Sequence, residues 1–479
     1  IETIVPDGIM VSRSSLVLPE YKEYERGMAT WLNAYVGPLV KGYLDRLASS
    51  VNAKSVSVMQ SSAGTIAANQ AGDQAVRMLL SGPAGGLMGA LHIGKLAGYE
   101  RLLTLDMGGT STDVSLLDGE ISLTSEGEIA GYPVAVPMVD MHTIGAGGGS
   151  IARVDEGGLL CVGPESAGAY PGPVCYGQGG HNVTVTDANL YLGRISSDHF
   201  LGGAMSLNVE ACNAAVEQLA KSLDCSPKRA AEGVIELANE HMARALRVIS
   251  IQRGIDPTPY ALMTFGGAGS LHVCALADAL QIKTAVVPVN SGVLSAFGML
   301  AAPKSRELSK SLVGELSSIS IALMQENFLE MIKRGTDELL EEGVPHHKTT
   351  VNHAVDLRYV GQSWLTKQQA MAEFHQLHEK RFGHQLELPV ELVNLRASIT
   401  ADVTKPAMDT LIERKRGSID KQGLGNEGAG IRVIQRQQLH ANDEVVGEAL
   451  IVETVATTYL APGWRCKVDS LGNLLLTKA

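Results

Sequence analysis

The segment Leu102 to Leu123, LLTLDMGGTSTDVSLLDGEISL, constrains this chain more than any other. Leu102 to Asp106 is an apolar run that reads as a buried strand, and Gly108-Gly109 turn the chain. A second strand, Val114 to Leu117, leaves the turn, and Asp118-Gly119 lead it into a third. A phosphate loop of the Walker or dinucleotide type runs into a helix instead, so the pattern predicts a glycine turn inside a β-hairpin. Without Cβ atoms at Gly108 and Gly109, backbone N–H groups can approach an anion, while Thr110, Ser111 and Thr112 add hydroxyls. Asp106, at the strand end, is placed to hold Mg²⁺ or its waters, because a hard cation takes oxygen ligands. The plain alternative is a tight hairpin with polar caps. Asp-x-Gly-Gly-Thr-x-Thr-Asp specifies more positions than such a turn needs.

Composition sets limits on the rest. Glycine is plentiful, 52 of 479 residues, but 45% apolar and 19% charged residues are ordinary for a folded globule, which excludes a disordered or collagen-like chain. The length suggests about three domains or one large two-lobed one. A net charge of -12 without a basic block excludes unspecific binding to nucleic acid or an anionic membrane. Six cysteines, at 161, 175, 212, 225, 274 and 466, show no C-x-x-C pair, which points to a reducing cytoplasm. The uncharged stretch Thr284 to Pro303 is broken by Pro288 and Asn290 and is not a membrane span. No signal peptide is evident. The first residue, Ile1, suggests a fragment or processed chain.

Apolar spacing from Tyr24 to Val51 predicts one long helix, with a possible kink at Gly37-Pro38. A glycine-dense block, Ser55 to about Ser206, reads as β-rich. Helices follow from Val209 to Leu223 and from Ser226-Pro227 to Gly254. Strand Ala261 to Phe265, a glycine turn, helix Leu271 to Leu280 and strand Thr284 to Val289 make a βαβ-like unit. Around Pro303 to Lys310 the composition becomes charged. Helices are expected near Ile321 to Glu342 and Thr366 to Phe382, then a charged stretch from Arg414 to Lys421. The end, Ile431 to Leu476, alternates strands and turns at Pro462-Gly463 and Gly472-Asn473.

The hairpin resembles the phosphate-binding hairpin of the actin, sugar kinase and heat-shock chaperone ATPase superfamily. The implied fold is α/β, an ATPase core of mixed sheets with β-hairpin phosphate loops, followed by a C-terminal α+β region that ends in a small β domain. In that superfamily an adenosine site lies at a later strand, glycine turn and helix. FGGAGSLH suits it: Gly266, Gly267 and Gly269 let the backbone approach a ligand. Further segments, SGPAGG (Ser81 to Gly86), HTIGAGGGSIA (His142 to Ala152), VGPESAGAYPGPVCYGQGG (Val162 to Gly180) and TVTDANLYLGR (Thr184 to Arg194), resemble the hydantoinase A/5-oxoprolinase family over nearly the whole chain. The resemblance implies an ATPase-like core over 1–302, with part of its N-terminal lobe missing, and a C-terminal domain over 303–479. Full-length relatives open with another Asp-x-Gly-Gly-Thr hairpin. This chain holds one, which puts catalysis by the isolated polypeptide in question.

The resemblance implies an ATP-dependent enzyme, with Mg²⁺ or another divalent metal, that opens a cyclic amide such as hydantoin, N-methylhydantoin or 5-oxoproline. ATP would phosphorylate the carbonyl oxygen before water opens the ring. A hydantoinase B-type partner subunit or domain and an oligomeric assembly are implied too. Two alternatives stand beside it: the ATP-using subunit of an acetone- or acetophenone-type carboxylase, and a non-catalytic actin-like regulatory module.

A second polar group surrounds the glycine-rich middle. Asp140 and His142 share a face if their segment is a strand, and His181 and Asp187 flank another glycine run. Asp106, Asp140 and His142 are candidate catalytic residues, and Asp106, His142 and Asp187 candidate metal ligands. Turn-capping aspartates and backbone-satisfied histidines are the bland alternative. His375, His378 and His384 read as a solvated face sooner than a metal site, His346-His347-Lys348 as an exposed loop, and Cys175 as a buried structural thiol sooner than a nucleophile.

Overall fold

The computed structural model describes residues 4–6, 9–53, 55–129, 131–362, 366–368, 374–406 and 431–479. Two compact units each take three stretches of chain: Ile1–Gly85, Leu123–Val139 and Met299–Lys405 in one, Gly86–Ser122, Asp140–Gly298 and Pro406–Ala479 in the other.

In the first unit a six-stranded sheet runs in the order Ser57–Met59, Thr65–Ala67, Lys304–Glu315, Val390–Ala401, Thr349–Tyr359, Thr366–Gln368. Its three long strands pair antiparallel. The helix Ile321–Glu341 buries Met324, Met331 and Leu339 in the core shared with that sheet. The expected long helix is present as Glu23–Ser50 and continues through Pro38. Its buried positions are Ala29, Asn33, Gly37 and Leu44, whereas Trp31, Tyr35, Leu39 and Tyr43 are exposed. Spacing located this helix, but its small residues rather than its aromatic ones face the core.

One helix needs correction. Thr366–Gln368 is a strand paired with Thr349–Tyr359, and the helix among the described residues is Phe374–Phe382, because strand pairing overrides local helical pattern at a sheet edge. Two histidines here have local partners: His375 Nδ1 meets the Tyr359 hydroxyl at 2.8 Å and His378 Nδ1 the His384 carbonyl at 2.9 Å. The charged stretch Arg414 to Lys421 lies outside the described residues.

The second unit is organised around an eight-stranded sheet: β1 Arg101–Met107, β2 Thr112–Asp118, β3 His142–Ile144, β4 Ala261–Phe265, β5 Thr284–Val287, β6 Glu444–Val446, β7 Trp464–Val468 and β8 Leu474–Lys478. The spatial order is β6-β7-β8-β5-β4-β1-β2-β3. β4 pairs parallel with both β1 and β5, and the other neighbours are antiparallel. Alternation along β1 sorts its side chains. Leu103, Leu105 and Met107 join the core that holds the helices Val209–Ser222 and Pro227–Ile249. Leu102 joins a second core with Ile93, Phe265 and Leu294 on the opposite face. Both helices on the first face start as their sequence suggests, with Asn208 and Ser226 accepting from Ala211 and Arg229 amides.

The Ser55 to Ser206 block, expected to be β-rich, contains the sixteen-residue helix Ser81–Leu96, opened by SGPAGG. Glycine and proline disguised it, yet glycine is what seats it: a Cβ on Gly86 would stand 2.7 Å from Phe265 Cε2. Among the described residues no helix is long and apolar enough to cross a membrane. All six cysteines are free.

Candidate functional site

β1 and β2 pair through Met107 and Thr112, which leaves Gly108 to Ser111 as the loop between them. Gly108 donates to the Ser111 carbonyl at 3.0 Å. A second glycine loop braces this one from behind. Gly148 and Gly149 amides donate to the Gly108 and Gly109 carbonyls at 3.0 and 2.7 Å, and the Thr112 hydroxyl donates to the Ala146 carbonyl at 2.5 Å. A Cβ on Gly147 would lie 2.7 Å from Gly109 and Thr110 backbone atoms, so the two loops can touch only with glycine there. The consequence is electrostatic. Three loop carbonyls, those of Gly108, Gly109 and Ser111, are occupied, while the amides of Gly109, Thr110 and Ser111 find no acceptor among the described residues, so the hairpin tip presents donors to an anion.

Beneath the tip, Asp106 and Asp113 are direct cross-strand partners and so share one face of the sheet. Thr143, the β3 partner of Asp113, donates its hydroxyl to Asp113 Oδ1 at 2.5 Å, and Ser295 bonds to Asp106. Burial, then the neighbouring Asp113 carboxylate, pushes the Asp106 carboxyl up to about 6. Burial also raises Asp113. Gly266, with φ at +79°, closes the floor: a Cβ there would stand 2.4 Å from Asp106 Oδ1. Its amide bonds to the Ser291 carbonyl at 3.1 Å, and Ala268 donates to the Met107 carbonyl at 3.1 Å. Gly269 opens the short 3-10 turn Gly269–Leu271, packed on Leu105, and Gly267 is exposed. Of the expected glycines, Gly266 therefore stands on Asp106 and Gly269 packs on Leu105, whereas the Thr112 hydroxyl is spent inside. Sequence reasoning missed Asp113, Thr143 and Ser295 as neighbours. The Asp113 signal was present, since a four-residue loop sets positions 106 and 113 in register.

The second polar group does not join this cluster. His142 is the cross-strand partner of Val114, and Val114 of Leu105, so His142 lies on the sheet face opposite Asp106. Asp140 precedes β3 and forms a two-pronged pair with Arg253, at 2.5 and 3.2 Å. Asp187 is fully buried and accepts from the Val174, Cys175 and Thr184 amides at 3.2, 2.8 and 2.9 Å and from the Thr184 hydroxyl at 2.8 Å. It completes a capping box on the helix Val185–Tyr191. His181 is exposed. Among the described residues no group of three or more His, Cys, Asp or Glu side chains is arranged to hold a metal ion, so the expected grouping of Asp106, His142 and Asp187 is not assembled. Cys175 is buried, and burial beside Asp187 pushes its thiol up, away from the reactive thiolate.

A hairpin of free amides beside paired carboxylates has the donors for an anion and the oxygen ligands for a hard cation. A family model described as Hydantoinase/oxoprolinase matches residues 26–307. The chain belongs to this family. This hydantoinase/oxoprolinase chain is 32% identical over 508 residues to caprolactamase subunit alpha of Pseudomonas jessenii, a match that covers 100% of the chain and 73% of that subunit. The crystal structure of the ATP-dependent caprolactamase from the same organism superposes with a TM-score of 0.87 at 30% identity, covering 100% of this chain and 74% of that one. 5-Oxoprolinase 1 of Arabidopsis thaliana is 31% identical over 511 residues, which span 97% of the chain but 39% of the plant protein. The nucleotide-free structure of acetone carboxylase gives a TM-score of 0.75 at 26% identity, covering 97% and 71%. These neighbours have the actin-like ATPase fold, the class expected from the hairpin.

Proposed function

We propose that this chain is the ATP-using part of a cyclic amidohydrolase that opens a lactam-type ring through a phosphorylated carbonyl. The observation that carries the reading is the hairpin: unpaired amides at Gly109, Thr110 and Ser111 directly above the Asp106–Asp113 pair. The names of its relatives, an ATP-dependent caprolactamase and a 5-oxoprolinase, support the same substrate class. ATP, with Mg²⁺, supplies the phosphoryl group that turns an unreactive amide oxygen into a leaving group.

The chain's own residues would position and neutralise, which is most of what phosphoryl transfer needs. Gly109, Thr110 and Ser111 amides would hold phosphate oxygens, with the Thr110 and Ser111 hydroxyls beside them. Asp106 would hold Mg²⁺ or one of its waters, steadied by Ser295 and backed by Asp113. One or two carboxylates suffice for Mg²⁺ when phosphates complete its shell, so a three-residue protein cluster is not required. Gly266, Gly267 and Gly269 would seat the nucleoside. His142 lies on the sheet face opposite Asp106, and Asp140 anchors Arg253. The relative's designation as subunit alpha supports a B-type partner, and six free thiols support a reducing, cytoplasmic setting.

ADP formation by the assembled enzyme tests the reading, with caprolactam, 5-oxoproline, hydantoin, or acetone plus bicarbonate offered in turn. A cyclic amide is expected to stimulate ADP release together with the ring-opened amino acid. Stimulation confined to ketone plus bicarbonate would transfer the site to the carboxylase alternative, which the fold likeness to acetone carboxylase favours.

A further inference from the structure

The helix Glu23–Ser50 carries an outer face that is left open. Tyr24, Trp31, Tyr35, Leu39 and Tyr43 recur seven, four, four and four residues apart, which places them in one stripe along the helix. They are 66, 48, 67, 74 and 58% exposed. Trp31 stacks on Tyr35 with ring centroids 5.6 Å apart and meets Tyr132, itself 45% exposed, at 5.8 Å, so the rings adjoin. No charged residue occurs from Gly27 to Val40. The opposite side of the helix is anchored. Asn33 donates to the Ser12 hydroxyl and the Asp73 carbonyl and accepts from the Val76 amide at 2.9, 3.0 and 3.1 Å, while Ala29 and Leu44 are buried.

At these exposures the five aromatic side chains alone present roughly 550 Å², and Leu39 adds to it. A stable interface takes ~800 Å² from each partner. Monomers seldom leave a contiguous apolar patch of that size open. Its make-up, tyrosine and tryptophan without charge, is that of an interface centre. The geometry of the stripe says what fits it. Trp31 to Tyr43 is centred on residue 37, within one residue of the midpoint of the helix. Two copies laid antiparallel about that point set Trp31 against Tyr43 and Tyr35 against Leu39 of the other copy, and bring Glu25 opposite Ser49, one turn from Arg46. Lys41 pairs with Asp73, whereas Glu25 and Arg46 have no ion-pair partner among the described residues. The Arg46 guanidinium lies back along the stripe, with Nη1 3.6 Å from where a Cβ on Gly42 would stand.

We infer that this aromatic face is the interface between two copies of the chain, paired antiparallel along Glu23–Ser50. A two-fold contact must be self-complementary. The face meets that condition twice over: its centre is uncharged, so it meets itself without repulsion, and Glu25 and Arg46 near its two ends attract across the two-fold. Aromatic side chains already stacked on a helix anchored through Asn33 lose little freedom when a second copy covers them.

Sedimentation equilibrium of the purified chain over a range of concentrations tests this, with far-ultraviolet circular dichroism to show that each variant is folded. The wild type is expected to form a reversible dimer. Tyr35→Asp and, separately, Leu39→Asp put a charge at the centre of the face and are expected to raise the dimer dissociation constant by roughly tenfold or more. Arg46→Glu is expected to raise it by roughly fivefold, since two symmetric surface pairs turn repulsive. Adding Glu25→Arg to Arg46→Glu is expected to restore the wild-type value. A folded wild type that stays monomeric overturns the inference and leaves the face to a different polypeptide such as a B-type partner. Folded aspartate variants that dimerise like the wild type overturn it as well. An Arg46→Glu loss that the double variant does not repair overturns the antiparallel pairing.

Discussion

Asp106→Asn is expected to cut ATP turnover by roughly 10²–10³-fold, the scale of removing one preorganised electrostatic group, while leaving the protein folded. The physical ground is the placement of Asp106 at the end of β1, buried under the amide-rich tip and beside Asp113. Only its ionised form attracts a cation, so wild-type turnover should fall as pH drops through about 6. Stability has the opposite sign. The folded, ligand-free protein holds this proton more tightly than the unfolded chain, so raising pH from the ordinary carboxyl range through about 6 costs stability. Asparagine has no charge to bury. The variant should therefore melt no lower than the wild type at pH 7.5, which separates lost function from lost fold. A variant that keeps wild-type turnover removes Asp106 from the site.

Asp187→Ala should produce the largest loss of stability, on the order of 4 kcal/mol, because three buried backbone amides lose a charged acceptor at once. The helix Val185–Tyr191 loses its capping box in the same step. Asp187→Asn keeps one carbonyl oxygen and should cost less. Urea denaturation of the two variants measures the difference. An alanine variant as stable as wild type would mean that the carboxylate is not the anchor the geometry describes, and would reopen its assignment as a metal ligand.

How much of this was legible in the sequence depends on the range of the interaction. The β1 to β2 hairpin was, because Gly108-Gly109 between two apolar runs is a local pattern with one geometry. The pairing of Asp106 with Asp113 was legible in principle once the loop length was set. The capping role of Asp187 was spelled out by Thr184 and Asp187 three apart. His142 shows where local reading stops. A period of two placed it with Asp140, but β3 begins only at His142, and its register against Val114 turns it away from Asp106. The helix Ser81–Leu96 was hidden because glycine reads as a breaker, and only its tertiary contacts, Gly86 on Phe265, Gly89 on Leu294 and Gly94 on Leu102, explain why small residues belong there.

The central claim is that ATP is spent on the carbonyl oxygen of a cyclic amide. Its most direct measurement uses a substrate labelled with ¹⁸O at that carbonyl, turned over in unlabelled water by the assembled enzyme, with mass analysis of the released phosphate. If the amide oxygen attacks the terminal phosphorus of ATP and releases ADP, water then adds at the carbon and the carbon–nitrogen bond breaks to give a ring-opened acyl phosphate; a second water at that carbon breaks the carbon–oxygen bond, and the labelled oxygen leaves with phosphorus. The expected result is one ¹⁸O atom in the phosphate per ring opened, and its loss together with turnover in Asp106→Asn. Ring opening with unlabelled phosphate would contradict the account.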